Sequence, residues 1–314
     1  MTFESSGRKR HSASFDPPLA GDPPVRFGNY DCQIFSDGLY LLDGGAMFGV
    51  VPKVLWQRQH PADESNRIEL ALNCLLVRGE DRVVLVDTGM GQLWSEREID
   101  LYGLQRPEGD LVEALARAGV QPEDVTDLIL THLHFDHAGG MIHPDGSLVF
   151  KQATHWVQAQ HLRWAKDPTE RDRRSFRADI LEAIESTECD FRAVDGATQI
   201  LPGIEVLPVH GHTPGQQLVL IGEPGAARLL YAADLVPYAS QLHLPWLMAF
   251  DLNPLLTLEE KRELLSRAVF EEWVLVFEHD LKTPAAKVIF DSGRYRVGEE
   301  VQLGQAGTTQ TPDG

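Results

Sequence analysis

The sequence has few cysteines and no long apolar run. Cys32, Cys74 and Cys189 are odd in number, lie far apart and form no C-x-x-C pair, so neither a disulfide framework nor a cysteine-based zinc site is expected. No stretch approaches the roughly 18 apolar residues that cross a bilayer. The basic residues near the N-terminus are not followed by the apolar segment of a secretory signal. We therefore expect a cytoplasmic protein without a membrane partner.

Positive charge is also scarce. The 28 Lys and Arg residues face 47 Asp and Glu residues, and the formal net charge is −19. Such a protein repels the phosphate backbone, so a nucleic-acid partner is not expected. The two dense basic runs, residues 7–11 and 171–174, are interpreted as solvated surface. The G-x-S-x-G motif of serine hydrolases is absent too, which argues against that class of enzyme.

The length and composition permit one sizeable folded domain. The chain has 314 residues, of which 43% are hydrophobic and 24% are charged, as is usual for a soluble globular protein. Residues 1–24 are rich in Ser, Pro and charge and are predicted to be a disordered tail. Residues 25–298 are predicted to form the domain. Residues 299–314 are polar and glycine-rich and are predicted to be a C-terminal tail.

One short run concentrates metal-binding side chains. The apolar residues 128–130 are followed by His132, His134, Asp136 and His137. Imidazole and carboxylate groups suit zinc and other first-row metals. In an extended segment His132 and His134 point to the same side, whereas the adjacent Asp136 and His137 can serve a second ion once the chain turns. The pattern predicts a metal site in preference to a histidine-rich surface loop.

Three further candidate ligands follow predicted strands later in the chain. His212 follows a strand predicted over residues 204–209, Asp234 one over 228–231, and His279 one over 274–277. An aspartate at the end of an apolar strand is costly to bury unless a cation pairs with it. His210 is instead expected to pack or to form a hydrogen bond.

These residues carry a resemblance to a known family. The H-x-H-x-D-H run, the G-H-T-P-G segment around His212, Asp234 and His279 occur in the order that is typical of the metallo-β-lactamase fold superfamily. The resemblance covers residues 28–297. It implies an α/β fold, the four-layer αβ/βα sandwich, with two mixed sheets packed face to face and helices outside. The order of predicted strands and helices fits that arrangement.

The resemblance also implies a dinuclear metal site. It assigns His132, His134 and His212 to one divalent ion, Asp136, His137 and His279 to the other, and Asp234 to a bridge between them. Zinc is the expected metal, and Mn, Fe or Co would accept the same ligands. Asp87, in the segment Asp87-Thr88-Gly89, is expected to support the site without binding a metal.

The expected chemistry is hydrolysis. Two cations that share a water lower its pKa toward neutrality, which provides a metal-bound hydroxide as nucleophile, and an ion can polarise the attacked carbonyl or phosphoryl oxygen. Asp136 is predicted to carry a proton from the attacking water to the leaving group, and Asp234 is also assigned to catalysis. Small acyl-homoserine lactonases have a tyrosine three residues after the bridging aspartate. That position is Pro237 here, so the catalytic phenol is assigned to Tyr238.

The residues resemble the lactonase and methyl parathion hydrolase branch. We expect a small-molecule substrate: a lactone, such as an acyl-homoserine lactone, or a carboxylic or aryl ester. There are three alternatives. The protein could hydrolyse an organophosphate triester, it could be another hydrolase of the superfamily, or it could be a non-catalytic binding protein. An apolar substrate wall is predicted from Met47, Phe48, Trp56, His243 and Trp246. Core packing is the alternative for these residues, and residues 47–56 could instead form a homodimer contact.

Several local structures are also predicted. Residues 36–38 are expected to form the turn between two strands. A strand is expected over residues 149–154 and a helix over 156–164. A further helix is expected to begin with Thr257 as N-cap and Glu260 completing a capping box.

Overall fold

The computed structural model describes residues 24–186 and 189–304. Its strands form two mixed sheets of seven strands each. The first sheet contains, in spatial order, β1 (Val25–Phe27), β2 (Tyr30–Asp43), β3 (Arg67–Gly79), β4 (Arg82–Val86), β5 (Asp127–Ile129), β6 (Thr154–Gln158) and β7 (Asp190–Val194). The second contains β8 (Thr198–Leu201), β9 (Ile204–Val209), β10 (Gln216–Ile221), β11 (Leu229–Tyr231), β12 (Val274–Val276), β13 (Ala285–Asp291) and β14 (Arg294–Glu300), again as spatial neighbours.

The α-helices are mostly short. They are α1 (Gly44–Phe48), α2 (Lys53–Trp56), α3 (Glu96–Tyr102), α4 (Leu111–Arg117), α5 (Phe135–Ala138), α6 (Ala159–Lys166), α7 (Ala178–Glu185) and α8 (Pro254–Phe270). Single 3-10 turns lie at Pro122–Asp124, Gly139–Met141, Arg173–Ser175, Ala233–Leu235 and Ala239–Leu242. No helix of the described ranges is both long and apolar enough to span a bilayer.

The alternation of side chains along the strands explains the layers. In β3, Leu75 and Val77 face the second sheet and share a core with residues of β9 to β12. Cys74 and Leu76 point the other way and pack under α4, α6 and α7. Helix α8 covers the second sheet. Successive side chains on a strand point to opposite faces, so apolar runs such as β3 bury both faces at once. The predicted four-layer sandwich is confirmed.

Strand direction brings several loops to one edge of the sandwich. Strands β4 to β7 are parallel, and so are β11 and β12. Strand β10 is antiparallel to both β9 and β11, so β9 runs in the same direction as β11. Segments that follow the carboxyl ends of such strands meet at the same edge of their sheet, where ligands of α/β proteins commonly bind.

The predicted turn at residues 36–38 is wrong. Strand β2 is continuous through this segment, and a bulge sets two of its residues opposite one residue of β3. The reason is tertiary: the buried Asp37 carboxylate accepts hydrogen bonds from the backbone N–H groups of Met90, Gly91 and Leu111 and pairs with Arg106. These contacts from other segments hold an Asp-Gly pair in a strand, against its local turn preference.

Three other local predictions fail in whole or in part. Residues 149–153 are irregular. The helix predicted over residues 156–164 begins later, at Ala159 in α6, because residues 156–158 belong to β6 and pair with β5 and β7 in parallel. Helix α8 begins at Pro254 with Asn253 as N-cap, so Thr257 lies inside the helix. Glu260 instead accepts hydrogen bonds from the N–H groups of His210 and Gly211.

The predicted tails fall largely outside the described residues. Residues 1–23 and 305–314 are not among the described residues. Residues 299–304 are described and are packed: β14 extends to Glu300, and the N–H of Ile34 donates to the carbonyl of Leu303 at 3.0 Å. Leu303 is buried in the core between the sheets, so the packed chain extends beyond the predicted boundary at residue 298.

Candidate metal centre

The first sheet supplies four side chains of the candidate centre. Strand β5 ends at Ile129, and the chain continues in irregular backbone that carries His132 and His134. His134 then serves as N-cap of the one-turn helix α5, on which Asp136 and His137 lie. The chain turns at this point, and the ligand atoms of Asp136 and His137 belong to a different group from those of His132 and His134, although the rings of His132 and His137 are in contact with centroids 3.9 Å apart.

The second sheet supplies the other three. His212 follows β9, Asp234 lies in the 3-10 turn after β11, and His279 comes three residues after β12. The structure brings all seven predicted ligands together at one edge. Their nitrogen and oxygen atoms form two groups, each with members within 4.8 Å of one another: His132, His134, His212 and Asp234 in the first, and Asp136, His137 and His279 in the second.

The first group is compact. Nε2 of His132 lies 3.0 Å from Nδ1 of His134, and Nε2 of His212 lies 3.3 Å from the same atom. Oδ2 of Asp234 is 3.1 Å from Nε2 of His212 and 3.8 Å from Nε2 of His132. Imidazole nitrogens and a carboxylate that converge in this way are the donor set of a borderline divalent metal.

Asp234 links this group to the second. Its Oδ1 lies 3.2 Å from Nε2 of His279, while its Oδ2 faces His212 and is 3.6 Å from Nε2 of His137. Oδ2 of Asp136 lies 3.8 Å from the Nε2 atoms of both His137 and His279. One carboxylate therefore faces both sets of donors, which is the placement that a bridging ligand requires.

Buried atoms without partners indicate that the donors fit cations. Nε2 of His134 and Nε2 of His137 are buried and have no hydrogen-bond partner among the described residues. Buried polar atoms are normally satisfied, because leaving one unpaired costs about 1–3 kcal/mol. His134 belongs to the first group and His137 to the second. A divalent ion in each group would give each of these nitrogens a partner.

The electrostatics of the site shift the pKa values of the histidines in opposite directions. Burial, reinforced by the neighbouring histidines, lowers the pKa of His132 and His134 well below the usual value, which leaves their imidazoles neutral. Burial also acts to lower the pKa of His212 and His279, but Asp234 outweighs it and raises each pKa to about 9. Burial would raise the pKa of Asp234, yet His212 and His137 lower it well below the usual range. The Asp234 carboxylate is thus held in the anionic form in which it can bind a cation.

Asp87, predicted to support the site, contacts one of the candidate ligands, His137. Its Oδ2 is 3.0 Å from Nδ1 of His137, and its carboxylate accepts hydrogen bonds from the N–H and the hydroxyl of Thr131. Oε2 of Glu278 lies 3.0 Å from the same His137 nitrogen without forming a hydrogen bond. Burial, together with the charge of Asp87, raises the pKa of Glu278 to about 8, although His137 acts to lower it. Asp87 is therefore the carboxylate that hydrogen-bonds His137, and its bonds to Thr131 hold it in place.

Glu278 and Asp251 are site residues that the sequence patterns do not predict. Asp251 is buried, its Oδ1 lies 3.1 Å from Nδ1 of His212, and its Oδ2 accepts a hydrogen bond from the N–H of Met248. A lone carboxylate at the end of an apolar segment was the available signal, because such a group needs a partner when it is buried. His210 accepts a hydrogen bond from the N–H of Gly215 and does not join either group of donors.

A cavity of about 430 Å³ opens beside the donors and is lined in part by His134, Asp136, His212, Asp234 and His279. Its apolar wall consists of Leu42, Met47, Phe135, Met248 and Phe250, with Tyr40 and Tyr102 adding phenol rings. Arg171 also lines it and donates to the carbonyls of Ala249 and Asp251, which ties the segment after α6 to the wall. The volume and lining suit a small organic molecule.

Only part of the predicted wall lies there. Met47 lines the cavity, whereas Phe48, Trp56 and Trp246 pack behind it, with the Phe48 ring stacked on Trp56 at 5.5 Å and edge-on to Trp246. His243 stacks on Trp246 and lines a separate groove beside β14. Phe48, Trp56 and Trp246 pack against one another and not against the cavity, so the core alternative describes these three residues better, whereas His243 belongs neither to the cavity wall nor to this cluster.

Tyr238 does not point into the cavity. Its ring is buried against Phe48 and His60, and its hydroxyl donates to the backbone carbonyl of Glu69 at 2.9 Å. Two other phenols line the cavity, Tyr102 and Tyr40 of β2, and the hydroxyl of Tyr40 donates to Oδ2 of Asp136 at 2.5 Å. Sequence reasoning missed Tyr40, because its position depends on the bulge in β2.

Comparison with known families gives a match that spans both groups of donors. Residues 68–279 match the family model described as the Metallo-beta-lactamase superfamily. Among curated proteins, an N-acyl homoserine lactonase from Bacillus sp is 26% identical over 242 residues, which is 71% of this chain and 86% of the relative. A protein of the same name from Bacillus cereus is 25% identical over 244 residues, covering 72% of this chain and 87% of the relative.

Solved structures show the same fold. A probable metal-dependent hydrolase from Staphylococcus aureus has a TM-score of 0.79 and 26% identity, covering 88% of this chain and 100% of that chain. AidC, described as a dizinc quorum-quenching lactonase in complex with a product, has a TM-score of 0.75 and 21% identity, covering 90% and 99% of the two chains. Similarity to the methyl parathion hydrolase branch stays a prediction.

Proposed function

The chain belongs to the metallo-β-lactamase superfamily, and from that premise we propose that it is a dinuclear metal-dependent hydrolase that opens lactone rings. The observation that carries the proposal is the position of Asp234, whose two oxygens face two separate groups of imidazole donors at 3.1 Å and 3.2 Å. The names of the lactonase relatives support the substrate class.

In this proposal His132, His134 and His212 would hold one ion, Asp136, His137 and His279 would hold the other, and Asp234 would serve both. Zinc suits this donor set, and Mn, Fe or Co would also be accepted. When bound, two such ions supply Lewis acidity toward a substrate oxygen and lower the pKa of a shared water. The lining of the cavity then orients the substrate, and the apolar wall excludes bulk water from the reacting bond.

Asp136 is the group proposed to move the proton. It lines the cavity and lies 7% exposed, so it can reach a substrate that occupies the cavity. A carboxylate in that place can accept a proton from the attacking water and deliver it to the alcohol oxygen that leaves when the ring opens. Tyr238 is not used in this proposal, since its hydroxyl is already committed to the carbonyl of Glu69.

The cavity supports an acyl compound as the substrate. An N-acyl lactone combines a polar ring, which would lie against the donors, with an apolar chain, which Leu42, Met47 and Phe250 would contact. A carboxylic or aryl ester presents the same acyl carbon to attack, so it belongs to the same proposal. The completeness of both donor groups argues against a non-catalytic binding protein.

The test measures metal content and hydrolysis together. The purified protein, loaded with zinc, is assayed with N-hexanoyl homoserine lactone, an aryl ester and an organophosphate triester, for the wild type and for Asp234→Ala. Asp195→Ala is the matched control, because Asp195 also follows a strand but is exposed and lies outside both donor groups. We expect two ions per chain and lactone turnover in the wild type and in the control.

We expect Asp234→Ala to bind fewer ions and to lose turnover by more than about 100-fold, since a bridging ligand serves both ions. Two bound ions with turnover of only the triester would shift the assignment to the organophosphate alternative. Two ions without turnover of any of these compounds would favour a binding role. Fewer than one ion per chain would refute the dinuclear mechanism.

We also propose that the chain forms a homodimer through residues 50–55. Val50 is 95% exposed, and Val54 and Leu55 of α2 are exposed as well, so this part of the predicted contact is an apolar surface. Light scattering on the wild type and on Val50→Asp tests the proposal. A dimer that becomes a monomer in the variant is the expected result, and a monomeric wild type would contradict it.

A further inference from the structure

A phenol lies beside the candidate metal centre and comes from an element that the sequence did not connect with it. Tyr40, in β2, is fully buried and lines the cavity beside the donors, together with Asp136 and His279. Its ring meets those of Phe135 and His279 edge-on, with centroids 6.5 Å and 6.0 Å apart. The surrounding rings therefore hold Tyr40 in one orientation, with its hydroxyl toward Asp136.

The hydroxyl contacts one particular oxygen. Tyr40 donates to Oδ2 of Asp136, the same atom that lies 3.8 Å from the Nε2 atoms of His137 and His279. Among the described residues it is the only hydrogen-bond donor to the Asp136 carboxylate. The orientation of this carboxylate within the second donor group thus depends on a single phenol.

The bulge in β2 gives Tyr40 this position. Ser36 pairs with Asn73 and Leu39 pairs with Ala71, so two residues of β2 lie opposite one residue of β3. A shift by one residue turns every following side chain to the other face of the strand. Without the extra residue, the side chain of Tyr40 would point away from the donors. Asp37, one of the two bulge residues, accepts hydrogen bonds from the N–H groups of Met90 and Leu111, which hold the bulge in place.

We propose that Tyr40 is the positioning residue for Asp136: its hydroxyl holds the carboxylate against His137 and His279 and so sets the affinity of that group for its ion. The proposal rests on the dinuclear site proposed above. It concerns the second donor group alone, because the Tyr40 hydroxyl bonds Asp136 and the Tyr40 ring meets that of His279, and both of these residues belong to that group. Hydrogen bonds to metal ligands commonly change metal affinity by about 10–100-fold.

The two buried tyrosines of the site region form a matched pair for the test. Tyr40→Phe removes the hydroxyl that bonds Asp136, and Tyr238→Phe removes a hydroxyl that bonds only the backbone carbonyl of Glu69. Each variant is titrated with zinc against a competing chelator, and each is loaded with Co(II) to record its absorption spectrum. Thermal unfolding of both variants reports any general loss of structure.

We expect Tyr40→Phe to bind its first ion like the wild type and its second ion about 10–100-fold more weakly, with a changed Co(II) spectrum after the second equivalent. Tyr238→Phe should bind both ions like the wild type. Equal affinities in Tyr40→Phe and the wild type would overturn the proposal, and so would parallel losses in both variants. A wild type that binds fewer than two ions would overturn it together with the dinuclear site. Two bound ions without lactone turnover would contradict only the proposed reaction.

Discussion

The histidines of the centre are oriented by their second ring nitrogens. Nδ1 of His137 bonds Asp87, Nδ1 of His212 bonds Asp251, and Nδ1 of His279 lies 2.8 Å from the carbonyl of Ala71. An imidazole that donates through Nδ1 presents the lone pair of Nε2 to a metal, so these contacts select both the tautomer and the ring direction. Groups that would not themselves bind an ion, namely Asp87, Asp251 and the carbonyl of Ala71, therefore orient these three donors.

The contact between Asp87 and His137 predicts a loss of metal affinity when Asp87 is changed. In the wild type, Oδ1 of Asp87 accepts from the N–H of Thr131, and Oδ2 accepts from the Thr131 hydroxyl and from His137. An asparagine has one acceptor oxygen and cannot keep all three bonds, so we expect Asp87→Asn to bind one ion about 10–100-fold more weakly. Chelator competition measures the affinity. Asp127→Asn is the control, because Asp127 is equally buried but pairs with Arg82, Thr126 and Trp156. The same affinity in both variants would refute the role of Asp87.

At the scale of elements, α8 holds the wall of the cavity. Lys261 of α8 is fully buried and donates to the backbone carbonyls of His243 and Trp246 at 3.2 Å and 2.8 Å. Farther along the same segment, Asp251 bonds both Met248 and His212. The segment between the 3-10 turn Ala239–Leu242 and α8 is thus tied to the helix at one end and to the centre at the other. A shift of α8 would therefore also move the segment that carries Met248 and Phe250 of the cavity wall.

The burial of Lys261 predicts a pH dependence of stability. Burial lowers its pKa to about 7 from 10.5, against a smaller raising effect of Asp251. Between these two values the folded chain binds fewer protons than the unfolded chain, so the free energy of unfolding rises with pH, by up to about 1.4 kcal/mol per unit.

Urea unfolding at pH 7, 8 and 9 should show this rise in the wild type and a smaller rise in Lys261→Met. Lys287→Met is the control, because Lys287 is a half-buried surface lysine paired with Glu299. It should keep the wild-type slope. Equal slopes in the wild type and in Lys261→Met would show that the lysine is not the titrating group.

At the scale of the whole molecule, the C-terminal segment joins the two sheets. After β14 at the edge of the second sheet, the chain crosses to the first: Ile34 donates to the carbonyl of Leu303, and Nε2 of Gln33 donates to the carbonyl of Gly304 at 2.9 Å. Leu303 is buried between the sheets with 1% exposure. This segment was predicted to be a tail because it is polar and rich in glycine.

Truncation tests this contribution. Deleting residues 299–314 removes Leu303 and the bonds to β2, so we expect the free energy of unfolding to fall by about 3 kcal/mol or more, as for other losses of a large buried side chain. Deleting residues 305–314 keeps every one of those contacts and serves as the control. Urea unfolding of both proteins decides between them. Equal stability of the two truncated chains would mean that the segment does not join the sheets.

The sequence by itself determined the family, the sandwich of two sheets and the seven side chains that meet at its edge. It could do so because donor chemistry and strand periodicity are local properties, and parallel strands place their following loops at one edge. Tertiary structure alone decided that Tyr40 and not Tyr238 faces the cavity, that Asp251 supports His212, and which apolar residues form the wall. Tyr40 and Asp136 are 96 positions apart, and the face that Tyr40 presents depends on one extra residue in β2. That bulge is stabilised by backbone donors from distant segments, and no local pattern in the sequence encodes them.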